Sequence, residues 1–107
     1  MRPKTLLLGV TYKANIADQR ESPARVVAAI LRSKGATLSF HDPHVRVWDT
    51  GEDCLTRVDD LAVAVQGADA VILLQNHREY NVDELSKRSM LFFDTRGVST
   101  SASAIRL

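Results

Sequence analysis

The chain has 107 residues, of which 45% are hydrophobic, and this is the size and composition of one modest domain with a core. Its formal net charge is +1 and its basic residues are spread along the chain, so neither a basic stripe for nucleic acid nor an acidic tail is present. A single cysteine, Cys54, excludes an internal disulfide and a cysteine-based metal cluster. No apolar run approaches the ~20 residues of a membrane span and the N-terminus is too short for a signal peptide, so we expect a cytoplasmic protein.

The first predicted elements are a buried strand, a charged loop and an amphipathic helix. Thr5 to Val10 is the short apolar run that a parallel strand buried on both faces requires. Ser22 is the expected N-cap of a helix from Pro23 to Lys34, because the serine hydroxyl can accept an orphan backbone N–H and proline has none to satisfy. Gly35 is expected to end this helix as its C′ residue.

The middle of the chain reads as a strand, a turn and a long polar connection. Thr37 to His41 is predicted as the second strand, and Asp42-Pro43 turns the chain away because a residue before proline avoids helical angles. His44 to Glu52 is polar and broken by glycine, which predicts a loop. Cys54 to Val58 is expected to form a short strand near an edge of the sheet.

The remaining elements continue the alternation of helix and strand. They are a helix capped by Asp59 that ends at Gln66 before Gly67, a strand from Ala70 to Leu74, a helix capped by Asn81 that ends at Lys87, and a strand from Met90 to Phe93. Residues 104–107 are too few to assign. This alternation predicts an α/β fold over residues 1–107, with a Rossmann-like open parallel sheet and helices on both faces in a single three-layer domain.

Three polar residues follow predicted strands and therefore belong to one edge of the sheet. Lys13, His77 and Arg96 fall beyond the carboxyl ends of their strands, which is where open α/β sheets bind ligands. Lys13 offers a point charge and Arg96 a planar fork, and both suit a phosphate group near the start of the helix from Pro23. From spacing alone, a solvated loop with scattered charges remains an equal alternative to an anion site.

The segment from Gly9 to Ala24, G-V-T-Y-K-A-N-I-A-D-Q-R-E-S-P-A, resembles the opening of the C-terminal, UDP-binding domain of the UDP-glucose/GDP-mannose dehydrogenase family. In that family an aromatic-Lys pair is followed by D-x-R-E-S-P. Three further segments appear in the family's order: Gly35-Ala36 to His41-Asp42-Pro43, Gly67-Ala68-Asp69-Ala70 leading to His77, and Phe93-Asp94-Thr95-Arg96. The resemblance therefore extends over nearly the whole chain.

The resemblance implies a role for particular residues. The UDP-sugar contacts that it implies are Tyr12, Lys13 and Arg96. It implies that Arg20 reaches toward NAD bound on another domain, although in this sequence Arg20 can equally pair with a neighbouring carboxylate. His77 matches a family position where it either contacts the ligand or bonds its own loop. Thr95 departs from the glycine usual at the middle of the family's D-x-R, which puts the local backbone conformation in question.

The resemblance also implies a whole enzyme of which this chain is one part. Members of the family are NAD-dependent UDP-sugar 6-dehydrogenases, which oxidise a sugar's C6 alcohol to a carboxylate in two hydride transfers. Their NAD-binding and central catalytic domains have no counterpart in these 107 residues, so the isolated chain is expected to bind UDP without catalysis, as a monomer or weak homodimer. The motif K-x-N-I-x-D-x-R-E-S-P-A resembles that of enzymes acting on UDP-N-acetylhexosamines more than that of enzymes acting on UDP-glucose. The alternative is a non-catalytic regulatory or interaction module that reuses a Rossmann-like fold.

Three other features are interpreted as structural. Cys54 has apolar neighbours and is predicted to be a small core residue and not a nucleophile. His41 and His44 flank Asp42 but lack a third convergent ligand, so a metal site is not expected there. Asp42 ends the second strand as a ribose-binding acid does in dinucleotide folds, but only Gly9 of the glycine fingerprint is present. We therefore interpret Asp42 as a turn residue and do not expect this domain to hold NAD by itself.

Overall fold

The computed structural model describes residues 3–11, 23–99 and 104–106. Within these residues the helices and strands are, in chain order, β1 (Lys4–Leu8), α1 (Ala24–Ser33), β2 (Thr37–His41), β3 (Val47–Asp49), β4 (Cys54–Thr56), α2 (Leu61–Gly67), β5 (Ala70–Leu73), α3 (Val82–Arg88), β6 (Phe92–Asp94) and β7 (Ala104–Arg106).

Five strands form one open sheet in the order β2-β1-β5-β6-β7, and every neighbouring pair in it is parallel. The register pairs Leu8 with both His41 and Leu73, and Leu73 with Asp94, so these residues mark the carboxyl edge of the sheet. From β1 the chain passes to β2 on one side and later returns to β5 on the other. This reversal leaves a crevice between the connections that follow β1 and β5, which is the usual ligand position in such sheets.

Helices cover both faces of the sheet. Leu6 and Leu8 of β1 belong to a core cluster with residues of α2 and α3, whereas Leu7 belongs to a second cluster with residues of α1. Successive side chains of a strand point to opposite faces, so one Leu-Leu-Leu run supplies both cores. The predicted α/β class, with a parallel sheet between two helical layers, is confirmed.

A short antiparallel pair of strands corrects the prediction for the middle of the chain. β3 lies inside the segment that was expected to be a loop and pairs with β4 in a separate two-stranded sheet. Trp48 is fully buried there and its ring packs edge-on against Phe40 at 5.6 Å. Cys54 is exposed, so the prediction of a core cysteine was wrong. Strand alternation explains the difference, because Leu55 packs on the core and Cys54 points away from it.

Helix ends agree with the sequence in most places. Gly35 has φ +88° and its N–H donates to the Arg32 carbonyl, as expected for a C′ glycine. Asn81 caps α3 by accepting the Glu84 N–H, as predicted. The cap of α2 is Asp60 and not Asp59, because the carboxylate of Asp60 is the one that reaches the Val63 N–H. The predicted Ser22 cap lies outside the described residues.

The last strands also differ from the prediction. β6 begins at Phe92 and not at Met90, because Met90 and Leu91 are exposed before the chain enters the sheet. β7, which the sequence left unassigned, pairs with β6 in parallel and forms an edge of the sheet.

Candidate functional site at the carboxyl edge of the sheet

Glycine is required where the chain leaves β1. Gly9 has φ +80°, and a Cβ atom at this position would lie 2.3 Å from the backbone oxygen of Gln75, which follows β5. The Gly9 N–H donates to the His41 carbonyl at 2.9 Å, so this residue is also tied to the end of β2. The connections after β1 and β5 therefore touch at the base of the crevice.

A buried carboxylate joins three segments beside this contact. Asp42 and His77 are both fully buried, and Oδ2 of Asp42 accepts the Val10 N–H at 2.9 Å and lies 2.9 Å from His77 Nε2. Its Oδ1 accepts the His44 N–H at 2.8 Å. The turn interpretation of Asp42 was thus correct but incomplete, because the same side chain also connects the end of β1 to the segment after β5.

Thr11 and His77 form the next contact of this group. The Oγ1 of Thr11 lies 3.0 Å from Nε2 of His77, and Thr11 is itself buried. The rings of His44 and Tyr80 lie edge-on to His77 at centroid distances of 5.0 and 5.9 Å. His77 therefore lies at the predicted edge of the sheet, but its side chain is enclosed by protein groups.

Tyr80 and His41 form a second polar pair near the same edge. The Tyr80 hydroxyl donates to the His41 carbonyl at 2.8 Å, and His41 Nδ1 lies 3.0 Å from that hydroxyl. Burial, reinforced by the charge of Asp42, raises the pKa of Tyr80 far above its ordinary value, so the phenol stays protonated. Burial is also the main cause that lowers the pKa of His41, and the charge of Arg57 lowers it further.

The lowered pKa of His41 gives a pH prediction. The folded state favours neutral His41, so as the pH falls through the unfolded pKa of 6.5 the unfolded chain takes up a proton before the folded chain does. The free energy of unfolding therefore decreases as the pH is lowered. We expect His41→Asn, which keeps a donor near the Tyr80 hydroxyl, to lose less stability than the parent between pH 7.5 and 5.5. Urea unfolding at both pH values measures this, and parallel losses in the two proteins would contradict it.

A second buried carboxylate shapes the loop after β6, residues 95–99, which we call the Arg96 loop. Asp94 is fully buried, and its Oδ1 accepts the N–H groups of Arg96 and Gly97 at 2.9 and 2.8 Å. Its Oδ2 accepts the Ser99 N–H at 2.6 Å. The Ser99 hydroxyl in turn donates to Asp83 in the first turn of α3 at 2.9 Å. The loop is therefore fixed at both ends by carboxylates.

The threonine in the D-T-R segment fits this loop. The Thr95 hydroxyl and the Thr95 N–H both donate to the carbonyl of Leu73 at the end of β5. Thr95 thus adds a bond between β6 and β5 that glycine does not have. Arg96 lies at the carboxyl edge of the sheet although threonine, and not the family's usual glycine, precedes it.

Arg96 is exposed, and its guanidinium forms no ion pair with any carboxylate in the part of the chain that the structure describes. An open cleft of about 380 Å³ lies beside the Arg96 loop, between that loop and the start of α3. Its lining residues are Asn76, Tyr80, Asn81, Val82, Asp83 and Val98. Of the Arg96 loop, Val98 lines this cleft. Arg96, two residues earlier in the same loop, offers an exposed planar cation of the kind that suits a phosphorylated ligand.

The structure brings together part of the predicted site. Arg96 and His77 both lie at the carboxyl edge, Arg96 exposed and His77 buried. Tyr12, Lys13 and Arg20 lie outside the described residues. Sequence reasoning missed Asp94 and the contacts of Asp42 with Val10 and His77. The signal for Asp94 was present, because an Asp followed three residues later by Gly is typical of a turn closed by the Asp side chain.

Asp42 also bears on dinucleotide binding. A ribose-binding acid at the end of β2 needs an accessible carboxylate, whereas Asp42 is fully buried and both of its oxygens accept protein donors. It therefore does not fit the ribose of NAD. Within the described ranges, no three or more histidine, cysteine, aspartate or glutamate side chains are grouped to hold a metal ion. No helix in those ranges is long and apolar enough to span a membrane.

Comparison with solved structures supports the same assignment of fold. A UDP-D-ManNAc dehydrogenase from Pyrococcus horikoshii superposes with a TM-score of 0.74 and 26% identity over 98% of this chain and 25% of that chain. A UDP-glucose dehydrogenase from Pyrobaculum islandicum gives a TM-score of 0.75 and 27% identity over 98% of this chain and 24% of that chain.

Sequence comparison adds relatives and a family. A UDP-N-acetyl-D-mannosamine dehydrogenase from Methanococcus maripaludis is 32% identical over 91% of this chain, and an NDP-N-acetyl-D-galactosaminuronic acid dehydrogenase from Ralstonia nicotianae is 32% identical over 90%. The chain spans only 23% of the length of each. The profile of the UDP-glucose/GDP-mannose dehydrogenase family, UDP binding domain, matches residues 6–101. With the α/β sheet and the matched segments at its carboxyl edge, this chain therefore belongs to the UDP-glucose/GDP-mannose dehydrogenase family, as its UDP-binding domain.

Proposed function

We propose that this chain binds the UDP portion of a nucleotide sugar at the carboxyl edge of its sheet and that Arg96 contacts the diphosphate. The observation that carries the proposal is the state of Arg96, which is exposed while a buried carboxylate holds its backbone N–H. A planar guanidinium donates two parallel hydrogen bonds to phosphate oxygens, and it pays little orientational cost when its backbone is already fixed. The cleft that Val98 of the same loop lines has room for part of a nucleotide.

We assign the remaining contacts from the family motif. Tyr12 and Lys13 stand four and five residues after the last residue of β1 in the sequence and are proposed as further UDP-sugar contacts. Arg20 is proposed to reach NAD that is held mainly by another domain. The burial of Asp42 supports the proposal that another domain holds most of NAD, since this chain does not offer the usual carboxylate for the cofactor's ribose.

For the whole protein, we propose an NAD-dependent UDP-sugar 6-dehydrogenase of which this chain is the C-terminal domain. NAD would supply the hydride chemistry on domains beyond this chain, while the present residues orient the substrate and neutralise its diphosphate. The isolated chain is therefore expected to be inactive, cytoplasmic, and a monomer or weak homodimer. The motif and the relative named for UDP-N-acetyl-D-mannosamine favour a UDP-N-acetylhexosamine as the substrate.

Calorimetric titration of the purified chain with UDP tests the binding role of Arg96. We expect UDP to bind, NAD to give no heat, and Arg96→Ala to weaken UDP binding by about 10- to 100-fold, since charge-assisted hydrogen bonds are worth about 1.5–3 kcal/mol. The affinity for uridine, which lacks phosphate, should not change on Arg96→Ala.

Arg88→Ala is the matched control for this titration. Arg88 ends α3, and its pairing with Glu84 is an exposed contact within one helix. It should leave UDP affinity unchanged. If titration of the parent chain with UDP gives no heat of binding even at millimolar UDP, the result counts against the proposal and favours a non-catalytic interaction module. Equal effects of the two arginine substitutions would show that Arg96 has no specific role.

A further inference from the structure

One face of the sheet is well covered over only half of its width. The register aligns one side chain from each strand in a row across this face, in the order Phe40, Leu7, Ile72, Phe93 and Ile105. Phe40 and Leu7 are fully buried, Ile72 and Phe93 are partly exposed, and Ile105 is 42% exposed. Burial is therefore lost toward β6 and β7. We call the part of this face that carries Ile72, Phe93 and Ile105 the open sheet face.

The same strands are covered on their other face. Val71 of β5 and Phe92 of β6 point to that face, have no exposed surface and belong to the core cluster with residues of α2 and α3. A strand with one face in water alternates apolar with polar residues, whereas Ala70–Leu73 of β5 is apolar throughout. This is the pattern of a parallel strand that is covered on both faces.

α1 covers the buried half of the row. Ala24 and Ala28 of α1 belong to the same core cluster as Leu7 and Phe40, so this helix lies over β1 and β2. A helix is about 10 Å wide and neighbouring strands are about 4.8 Å apart, so one helix covers about two strands. The space over β5 and β6 therefore has the width of one further helix, packed beside α1 at an interaxial distance of about 8–10 Å.

The flank of α1 that borders this space is apolar. Arg25 and Arg32 mark the opposite flank, because they bond to Asp49 and Asp53 of the β3 and β4 unit, which lies against the outer edge of β2. At about 100° per residue, Val26 and Ile30 lie across the helix from these arginines and so face toward β5. Val26 is 63% exposed and Ile30 is 51% exposed.

We propose that an amphipathic α-helix from the remainder of the same polypeptide packs between this flank of α1 and the open sheet face, with its apolar side against Ile30, Phe93 and Ile105. This inference rests on the proposal that the chain is one domain of a longer enzyme. The chain spans only 23% of the length of its relatives from Methanococcus maripaludis and Ralstonia nicotianae, so a protein of that size has ample further chain to supply a helix.

The chemistry of the surface favours this occupant. Single exposed apolar side chains are common on proteins, but here they continue from α1 across the sheet to β7, and such a continuous surface marks an interface. The row across the sheet contains no charged residue, which suits a permanent contact made as the protein folds. In the described part of the chain, α1, α2 and α3 all pack on their own sheet, so a second copy has no spare helix to offer.

The first test compares the reaction of single cysteines in the isolated chain and in the whole protein. Ile30→Cys and Ile105→Cys place a thiol at the two borders of the space, in a Cys54→Ser background because Cys54 is exposed. Val63→Cys is the matched control, since Val63 is 64% exposed on α2, on the other face. We expect a maleimide to modify all three thiols at similar rates in the isolated chain. In the whole protein, positions 30 and 105 should react at least tenfold more slowly, with position 63 unchanged.

Unchanged rates at positions 30 and 105 in the whole protein would overturn the proposal. Equal slowing at position 63 would also overturn it, because the protection would not be specific to this space. If positions 30 and 105 react slowly in the isolated chain and fast after dilution, a second copy is the occupant, and the proposal of a helix from the same polypeptide fails.

The second test places charges on the flank of α1. Val26→Glu combined with Ile30→Lys puts an ion pair of favourable orientation on two exposed positions, so the isolated chain should unfold at the parental urea concentration or above it. In the whole protein the same change should prevent docking, and trypsin should release this domain at least tenfold faster than from the parent. Val63→Lys also adds one lysine and should leave the release rate unchanged. A parental release rate in the folded double variant would overturn the proposal.

These outcomes are separate from the UDP role, because neither measurement involves UDP. A parent chain that binds no UDP, but whose positions 30 and 105 are protected in the whole protein, would refute the UDP role and retain the helix site. A parent chain that binds UDP, with both positions fully reactive in the whole protein, would retain the UDP role and refute the helix site.

Discussion

Gly9→Ala should destabilise the domain by about 3 kcal/mol or more and lower its melting temperature by roughly 15 °C. Two effects add at this position. The φ of +80° is unfavourable for any residue with a Cβ, and that Cβ would lie 2.3 Å from the Gln75 backbone oxygen and 2.9 Å from its nitrogen. Backbone cannot rotate out of the way as a flexible side chain does, so β1 and β5 would have to separate. Urea and thermal unfolding of the purified variant measure the loss.

Gly51→Ala is the matched control for this substitution. Gly51 also has a positive φ, +96°, but a Cβ there meets nothing within 4 Å. Its replacement should cost only the backbone term, about 1 kcal/mol. The excess loss in Gly9→Ala then measures the close approach at the base of the crevice. Similar losses of stability in the two variants would show that the backbones of residues 9 and 75 can move apart at little cost. That result would contradict the interpretation that this close contact fixes the base of the crevice.

Asp94→Asn should cost about 2–4 kcal/mol of stability and also weaken UDP binding. The carboxylate accepts three backbone N–H groups of the Arg96 loop at 2.6 to 2.9 Å. Asparagine keeps one oxygen, but its amide must then face at least one of those donors. The loop loses its fixed conformation, so Arg96 no longer starts from an arranged backbone. Urea unfolding measures the first effect, and UDP calorimetry below the unfolding range measures the second.

Asp69→Asn provides the comparison for Asp94→Asn. Asp69 accepts one backbone N–H, that of Lys4 at 2.7 Å, but it is exposed and lies before β5, at the opposite edge of the sheet. Water can replace that bond, so the loss should stay below about 1 kcal/mol and UDP affinity should not change. If Asp94→Asn proved as mild as Asp69→Asn, burial would not be what makes the Asp94 bonds important.

Local patterns in the sequence were enough for most of the regular elements. The Leu6-Leu7-Leu8 run predicted a strand buried on both faces, and it supplies both core clusters. Gly35 and Asn81 marked helix ends correctly because capping uses bonds within three or four residues of the chain. The position of Arg96 three residues after the last predicted strand correctly placed it at the carboxyl edge, and the structure adds that it is exposed. These features depend on neighbours in sequence, which a pattern can register.

Prediction failed where a residue's partner is distant in the chain. β3 was missed because Trp48 is buried by packing against Phe40, a residue of another strand. The polar segment around Trp48 has no apolar periodicity that would predict a strand. Cys54 was assigned to the wrong side because a three-residue strand shows too little alternation to fix its register. β7 exists as a strand only through its pairing with β6.

The sequence by itself determined the α/β class, the order of most elements and the family to which the chain belongs. The tertiary structure decided which polar residues are buried and what they hold. Val10 and Asp42 are 32 positions apart, Asp42 and His77 are 35, and Thr11 and His77 are 66. Contacts over such separations form only when parallel strands bring their carboxyl ends to one edge, and no local pattern encodes which two ends will meet.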